Sequence, residues 1–317
     1  MAEVAIIIGN GFDIDLGLPS KYSDFADSPE FHDLASRMYK MYFEEERENS
    51  LVLQIQQASF NSNWFDIEEE IHKYVVDHPC LDEKMIRMVR SEFDALKKTL
   101  TNYLKRVSEG LNHQAEEKRL AYQLLFELQK CPKSINEICF NYTNPHLFLK
   151  VSTHYKKCIF TYVHGDLEKD DIVLGCDIQE HEEVNRNLSF MNKYNQLNKA
   201  NHVAINILEA KEIIFFGHSV NEMDFGYFRD FFKEASAAPQ PIRHLTIITF
   251  DEESERIIKD NIRNQGISVT DLYNNLWTFD FIHTSKIYAN DNIEIQKWNE
   301  MMMRLLSKET RGVKVRN

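Results

Sequence analysis

The stretch that most constrains this chain is Ile6-Ile7-Ile8-Gly9-Asn10-Gly11-Phe12-Asp13, continuing to Leu16-Gly17-Leu18-Pro19-Ser20. Three β-branched residues run straight into Gly-Asn-Gly, which reads as a buried strand ending in a tight turn. The pattern recurs after Phe140, Val163, Phe216 and Phe250, where an apolar run ends and small polar residues follow at once. In an open parallel sheet such strand ends gather along one edge, where ligands bind. The expected fold class is therefore α/β, a Rossmann-like, mostly parallel sheet flanked by helices. Gly9 and Gly11 would let a backbone approach a pyrophosphate, with the next N–H groups facing its oxygens. Position 14 is Ile, so the full G-x-G-x-x-G is absent, and an ordinary strand-to-helix turn accounts for the stretch equally well.

The rhythm of strand and helix is then interrupted. Residues 18–25 read as a loop and 30–130 as a mostly helical insertion. Within it, 30–46 is helical with Pro29 in its first turn, and Asn63 caps a helix carrying Trp64, Asp66, Ile67 and Glu68. Residues 81–107 make the clearest helix. Met85, Val89, Phe93, Leu96, Leu100, Tyr103, Leu104 and Val107 share one face, and Gly110 is expected to end it. A further helix over 114–130 stops before Pro132. Strands are expected at 135–140, 158–163, 172–174, 212–216, 245–250 and 277–282. Helices are expected over 182–210, 224–235, 252–264 and 291–307, followed by a loose basic tail.

Composition narrows the function. The 317 residues carry a net charge of −13, which disfavours a protein that coats nucleic acid. No apolar run approaches the length of a membrane span. No signal peptide is expected either, because the N-terminal apolar run is short and Glu3 replaces a basic region. The five cysteines, Cys80, Cys131, Cys139, Cys158 and Cys176, form no C-x-x-C, so reduced thiols in a cytoplasmic protein are expected and a structural zinc is not.

Candidate site residues lie at the strand ends, each beside a simpler explanation. Asn141 can orient water or a ribose hydroxyl, or merely sit in a turn before Pro145. His164, with Gly165 and Asp166 after it, suits a general base near neutral pH, but it is one of twelve histidines. Gly217-His218-Ser219, with Asp224 five residues on, forms a second glycine turn that can hold a phosphate, or a turn in which Ser219 caps a helix. Asp251 can bind a ribose hydroxyl pair, although a helix cap ahead of Glu252 and Glu253 is the favoured reading. Asp66 and Glu68 fit a solvated helix face better than a site. The P-loop, zinc-protease, serine-hydrolase and kinase motifs are all missing.

Taken in order, Ile8-Gly9-Asn10-Gly11-Phe12-Asp13, Gly17-Leu18-Pro19-Ser20-Lys21-Tyr22, Asn63-Trp64-Phe65-Asp66-Ile67-Glu68, Phe140-Asn141-Tyr142-Thr143, Val163-His164-Gly165 and Gly217-His218-Ser219 through Asp224 resemble the AbiH family of bacterial abortive-infection proteins. The order is also similar, more remotely, to sirtuin-like NAD-binding domains. That resemblance implies one sirtuin-like domain over 1–317 with 30–130 inserted, and NAD as substrate or ligand. It implies that Gly9, Asn10, Gly11, Phe12, Asp13, Pro19, Tyr22, Tyr142, Gly165, Gly217, His218, Ser219, Asp224 and Asp251 line the dinucleotide. Asn141 would lie by the nicotinamide ribose, His164 would be the base, and Asp13 would stabilise positive charge. The sequence departs from the sirtuin pattern at Asn10, at Asp13, in an Arg missing after the Pro loop and in the absent zinc module, so protein deacetylation is not expected.

The leading expectation is an anti-phage abortive-infection effector that hydrolyses the nicotinamide–ribose bond of NAD through an oxocarbenium-like centre. The alternatives are a catalytically inactive nucleotide sensor, and a metal-dependent nuclease-type toxin using acids near Trp64 and Asp224. The helices of 30–130 would offer a surface for a homo-oligomer or a defence-system partner.

Overall fold

A computed structural model describes residues 3–61, 65–111, 116–149, 158–178, 185–196 and 202–307. The chain forms two compact units. One comprises Met1–Gly17, Asn112–Val163 and Ala200–Asn317, and the other Leu18–Leu111 and His164–Lys199.

The first unit holds the sheet. Its strands are β1 (Val4–Ile8), β2 (Ile135–Cys139), β3 (Cys158–Tyr162), β4 (Glu212–Phe216), β5 (Gln240–Thr249) and β6 (Leu276–His283). They lie side by side in the order β3-β2-β1-β4-β5-β6. Every neighbouring pair is parallel, with Ile8 level with Cys139 on one side and Phe216 on the other. The expected α/β class is thus the observed one, and the strand ends do share an edge. All five residues of β1, β2 and β4 are buried, because both faces of the central strands are covered. On one face Ala5, Ile7, Ile138, Phe215, Leu245 and Ile247 pack with Phe228, Phe231 and Phe232. Each such fully buried ring contributes roughly 1.5–3 kcal/mol of transfer free energy. From β1 the chain builds outward to β2 and β3, then returns to the other side of β1 as β4. The crevice between the ends of β1 and β4 is therefore the topological switch point.

Several elements differ from expectation. No strand forms at 172–174; of this region only Cys176 pairs, in an isolated bridge to Asn192. The stretch 182–210 is not one helix. Its described part makes two 3-10 turns, Arg186–Met191 and Lys193–Asn195, and a helix Val203–Glu209. Helices Val269–Asn275 and Thr284–Tyr288 were not foreseen, and 252–264 was, as Glu252–Asn264.

The second unit is helical. Residues 22–26, expected as loop, form the helix Tyr22–Ala26, because the Asp24 carboxylate reaches back to the Lys21 N–H. Pro29 opens the next helix, Pro29–Met41, with Ser28 as its cap. The unforeseen helix Leu51–Asn61 starts on a buried acid, since Glu92 accepts from the Ser50 hydroxyl and the Val52 N–H, both at 2.9 Å. Asn63 and Trp64 lie outside the described residues. The helix Ile67–Asp77 is capped by Asp66. Helix Glu83–Leu111 buries the expected stripe from Met85 to Leu104, Val107 is half-buried, and Gly110 sits inside the last turn and does not end it. The 164–196 segment packs on this helix, with Phe190 edge-on to Phe93 at 5.6 Å and the Lys97 ammonium 2.9 Å from Gln196 Oε1. Glu68, expected on a solvated face, is instead buried in an ion pair with Lys193 at 2.6 Å. Among the described residues no helix is long and apolar enough to cross a membrane.

Candidate active site at the switch point

The two glycine turns of the sheet unit meet. Gly9 caps the helix Asn10–Leu16 that follows β1, and Gly217 ends β4 in the left-handed region, φ +65°. A Cβ on Gly9 would lie 2.6 Å from Gly217 O, one on Gly11 2.7 Å from Gly217 Cα, and one on Gly217 2.3 Å from Phe12 N. Glycine is required at all three because two backbones pass at contact distance. The Gly11 N–H donates to Gly217 O at 2.9 Å and the Phe12 N–H to Gly9 O at 2.9 Å. These two amides, expected to face a pyrophosphate, are committed to protein carbonyls. Phe12 itself is fully buried, its ring edge-on to Phe216, while Asn10 is exposed.

Asp13 lies one turn into the helix, 1% exposed. The Thr143 hydroxyl donates to its Oδ2. Oδ1 completes no hydrogen bond of ordinary geometry among the described residues. Burial pushes the carboxyl up to about 6, while hydrogen bonding to Thr143 and to the Asn141 side chain pulls the other way. No lysine or arginine figures among the groups that set it. Asn141, directly past β2, donates its amide to Gly9 O at 3.0 Å, so it braces the first turn from the neighbouring strand. Tyr142, between these two, is half-buried.

On the other wall, His218 is 5% exposed and set edge-on against Phe140 at 4.5 Å and Phe228 at 5.1 Å. Its Nδ1 accepts from the Val220 N–H at 2.9 Å, so the ring proton belongs on Nε2, which faces Asp224 Oδ2 at 3.5 Å. Val220 holds φ +52°, a costly conformation for a β-branched residue. Ser219 caps no helix: it is exposed, and its carbonyl accepts from Asn261. The next turn, Phe225–Tyr227, follows Asp224, whose own N–H donates to Asn221 Oδ1.

The structure thus brings Gly9, Gly11, Asp13 and Asn141 together with Gly217 through direct contacts, and pairs His218 with Asp224. Asp251 does what its simpler explanation says: it caps Glu252–Asn264, accepting from the Ser254 N–H and hydroxyl. Those bonds hold its pKa below the usual range. Pro19, Tyr22, His164 and Gly165 belong to the second unit. There the Pro19 carbonyl accepts from the Tyr103 hydroxyl at 2.7 Å. His164 is buried, its carbonyl accepting from the Val173 N–H at 2.7 Å. Gly165, at φ +79°, leaves no room for a Cβ beside Asp171 O. Thr143 was not anticipated as a site residue. Its position two after Asn141 was the only hint, and its partner Asp13 is 130 residues away.

The acids named for a nuclease-type centre near Trp64 have other partners. Asp66 is spent on its helix cap and Glu68 on Lys193. Among the described residues no group of three or more His, Cys, Asp or Glu could hold a metal ion.

A family model described as bacteriophage abortive infection AbiH matches residues 5–243. No curated protein and no solved structure matches the chain. The matched span includes both glycine turns, Asp13, Asn141, Thr143, His218 and Asp224. The chain belongs to the bacteriophage abortive infection AbiH family, which supports a role in abortive-infection defence against phage.

Proposed function

We propose that the protein serves phage defence by binding NAD at the switch-point crevice and hydrolysing its nicotinamide–ribose bond. The observation that carries this reading is Asp13, a buried carboxyl in the first turn of the helix after β1, raised to about 6 with one oxygen held by Thr143. An acid of that pKa is mostly ionised at neutral pH, yet it is a stronger base than an exposed aspartate. As a buried carboxylate it suits the positively charged nicotinamide end of the dinucleotide better than the pyrophosphate. Cleavage breaks the bond between ribose C1′ and the nicotinamide nitrogen, and the electron pair leaves with neutral nicotinamide. Water adds at C1′, and its proton passes to the Asp13 carboxylate. Before that, the carboxylate's charge favours the cationic ribose. Asn141 holds the Gly9 turn against the sheet, which fixes the start of Asp13's helix. The sirtuin-like resemblance gives His164 as the base instead, and His164→Ala assayed beside Asp13→Asn decides between the two: the variant that keeps releasing nicotinamide has lost no base.

Purified protein incubated with NAD should release nicotinamide and ADP-ribose, resolved by chromatography. Asp13→Asn should abolish release with the fold intact, and Asn141→Ala should reduce it. Intact NAD after incubation with extract from phage-infected cells, the natural trigger, would sink the hydrolase reading.

One observation favours a second reading, a nucleotide sensor without turnover. The Gly11 and Phe12 amides are already committed, so the turn retains little of a phosphate cradle. That reading expects NAD or ADP-ribose to bind with no nicotinamide released, and Asp13→Asn to keep its antiviral effect.

A further inference from the structure

The loop that follows β2 carries Asn141 and Thr143, and the strand beneath it carries Asn136, Glu137 and Cys139 where a central strand ordinarily has apolar residues. Glu137 and Cys139 are both fully buried and, being two apart, lie on one face of β2. Each is bonded to the loop. The Nε2–H of His146 donates to Glu137 Oε2 at 2.5 Å, and the ring lies edge-on to Phe160. The Cys139 thiol, held protonated by burial, donates to the Asn141 carbonyl at 3.4 Å and reaches the Thr143 carbonyl at 3.7 Å. Asn144 and Pro145 start a single 3-10 turn, Pro145–Phe148, that delivers His146 back over the strand. A polar pair buried this way adds little net stability compared with apolar side chains of the same volume, so its presence calls for another reason.

We propose that Glu137 and His146 are positioning residues of the switch-point site: their pair clasps the 141–149 loop onto β2 so that Thr143 and Asn141 meet Asp13. The catalytic consequence rests on the reading of Asp13 as the working carboxylate; the clasp itself does not. Glu137 acts at a distance from Asp13, through His146, the loop backbone and Thr143. Loosening the clasp takes from Asp13 the Thr143 bond that favours its charged form, and burial then drives its pKa further up.

The test reads Asp13 directly and needs no NAD. The full-length protein is labelled with carbon-13 at aspartate carboxyls, and the Asp13 signal is identified by its loss in Asp13→Asn. The Glu137→Leu, His146→Phe double variant replaces the pair with apolar groups of similar volume. Its Asp13 titration midpoint should rise by about one unit or more, the scale of a lost hydrogen bond to a charged group. Thr143→Val should produce a similar rise. His146→Gln, whose amide can still donate to Glu137, should stay near the wild-type midpoint, a rescue that loss of packing alone would not give. An unmoved midpoint in the folded double variant overturns the proposal, as does a His146→Gln midpoint that rises with it. If the double variant does not fold, Glu137→Gln keeps the shape and weakens the pair; an upward shift then supports the clasp and none overturns it. Failure to cleave NAD leaves these results untouched, so the two readings fail separately.

Discussion

Replacing Asp13 by asparagine should stabilise the sheet unit while removing the activity proposed for it. The carboxyl is 1% exposed and raised from 3.8 to about 6, mainly by desolvation. The folded state therefore binds this proton more tightly than the unfolded chain does. The associated stability is fully present below pH 3.8 and is lost as pH rises through about 6. At about pH 7.5 the ionised group costs the fold about 3 kcal/mol, at about pH 4.5 about 1 kcal/mol, and near pH 3 almost nothing. Asparagine keeps an acceptor for the Thr143 hydroxyl and carries no charge to desolvate. Urea denaturation of both proteins, followed by tryptophan fluorescence and circular dichroism across that pH range, should show the variant more stable by those amounts. Equal stability at about pH 7.5, or a difference that does not shrink on acidification, would refute the claim that Asp13 is a desolvated carboxylate. An acid that weakens the fold persists where function needs it.

Acidification should act in the opposite direction at His244, whose pKa burial, then Arg304 and Lys133, lower to about 4. Its stability contribution is present above 6.5 and lost as pH falls through about 4; with its partial exposure, His244→Phe should recover about 1–3 kcal/mol near pH 4 in the same denaturation assay. In the helical unit, Lys193→Met strands the buried Glu68 carboxylate and should cost about 3–5 kcal/mol, most of it restored by adding Glu68→Met, as read from thermal melts. Gly217→Ala sets a Cβ 2.3 Å from Phe12 N in a left-handed conformation; a loss on the order of 2–4 kcal/mol is expected, and an unchanged melting temperature would contradict the close passage of the two turns.

Much of this architecture was legible from residue order. The runs at Ile6–Ile8 and 212–216 could only be buried strands, and the small polar residues after them marked one shared edge of the sheet. Asp251 read correctly as a cap because capping is local. Elements whose stability comes from distant partners were misread. Leu51–Asn61 begins on Glu92, forty residues on, and the described residues 185–196 pack on helix Glu83–Leu111 through Phe190 and Gln196 in place of belonging to one long helix. Ser219 looked like a cap because the composition after it suits a helix, but the chain turns first through Val220 at φ +52°.

The sequence by itself determined the α/β class, the glycine turns and the sheet edge on which the candidate site lies, because these follow from side-chain period and from backbone conformations open only to glycine. Only the tertiary structure decided what those groups do. It spends the Gly11 and Phe12 amides on protein carbonyls, joins Asp13 to Thr143 across 130 residues, and desolvates the acid enough to raise its pKa to about 6. Desolvation and hydrogen-bond partnership are properties of what surrounds a group in space, and neighbours in sequence do not supply them.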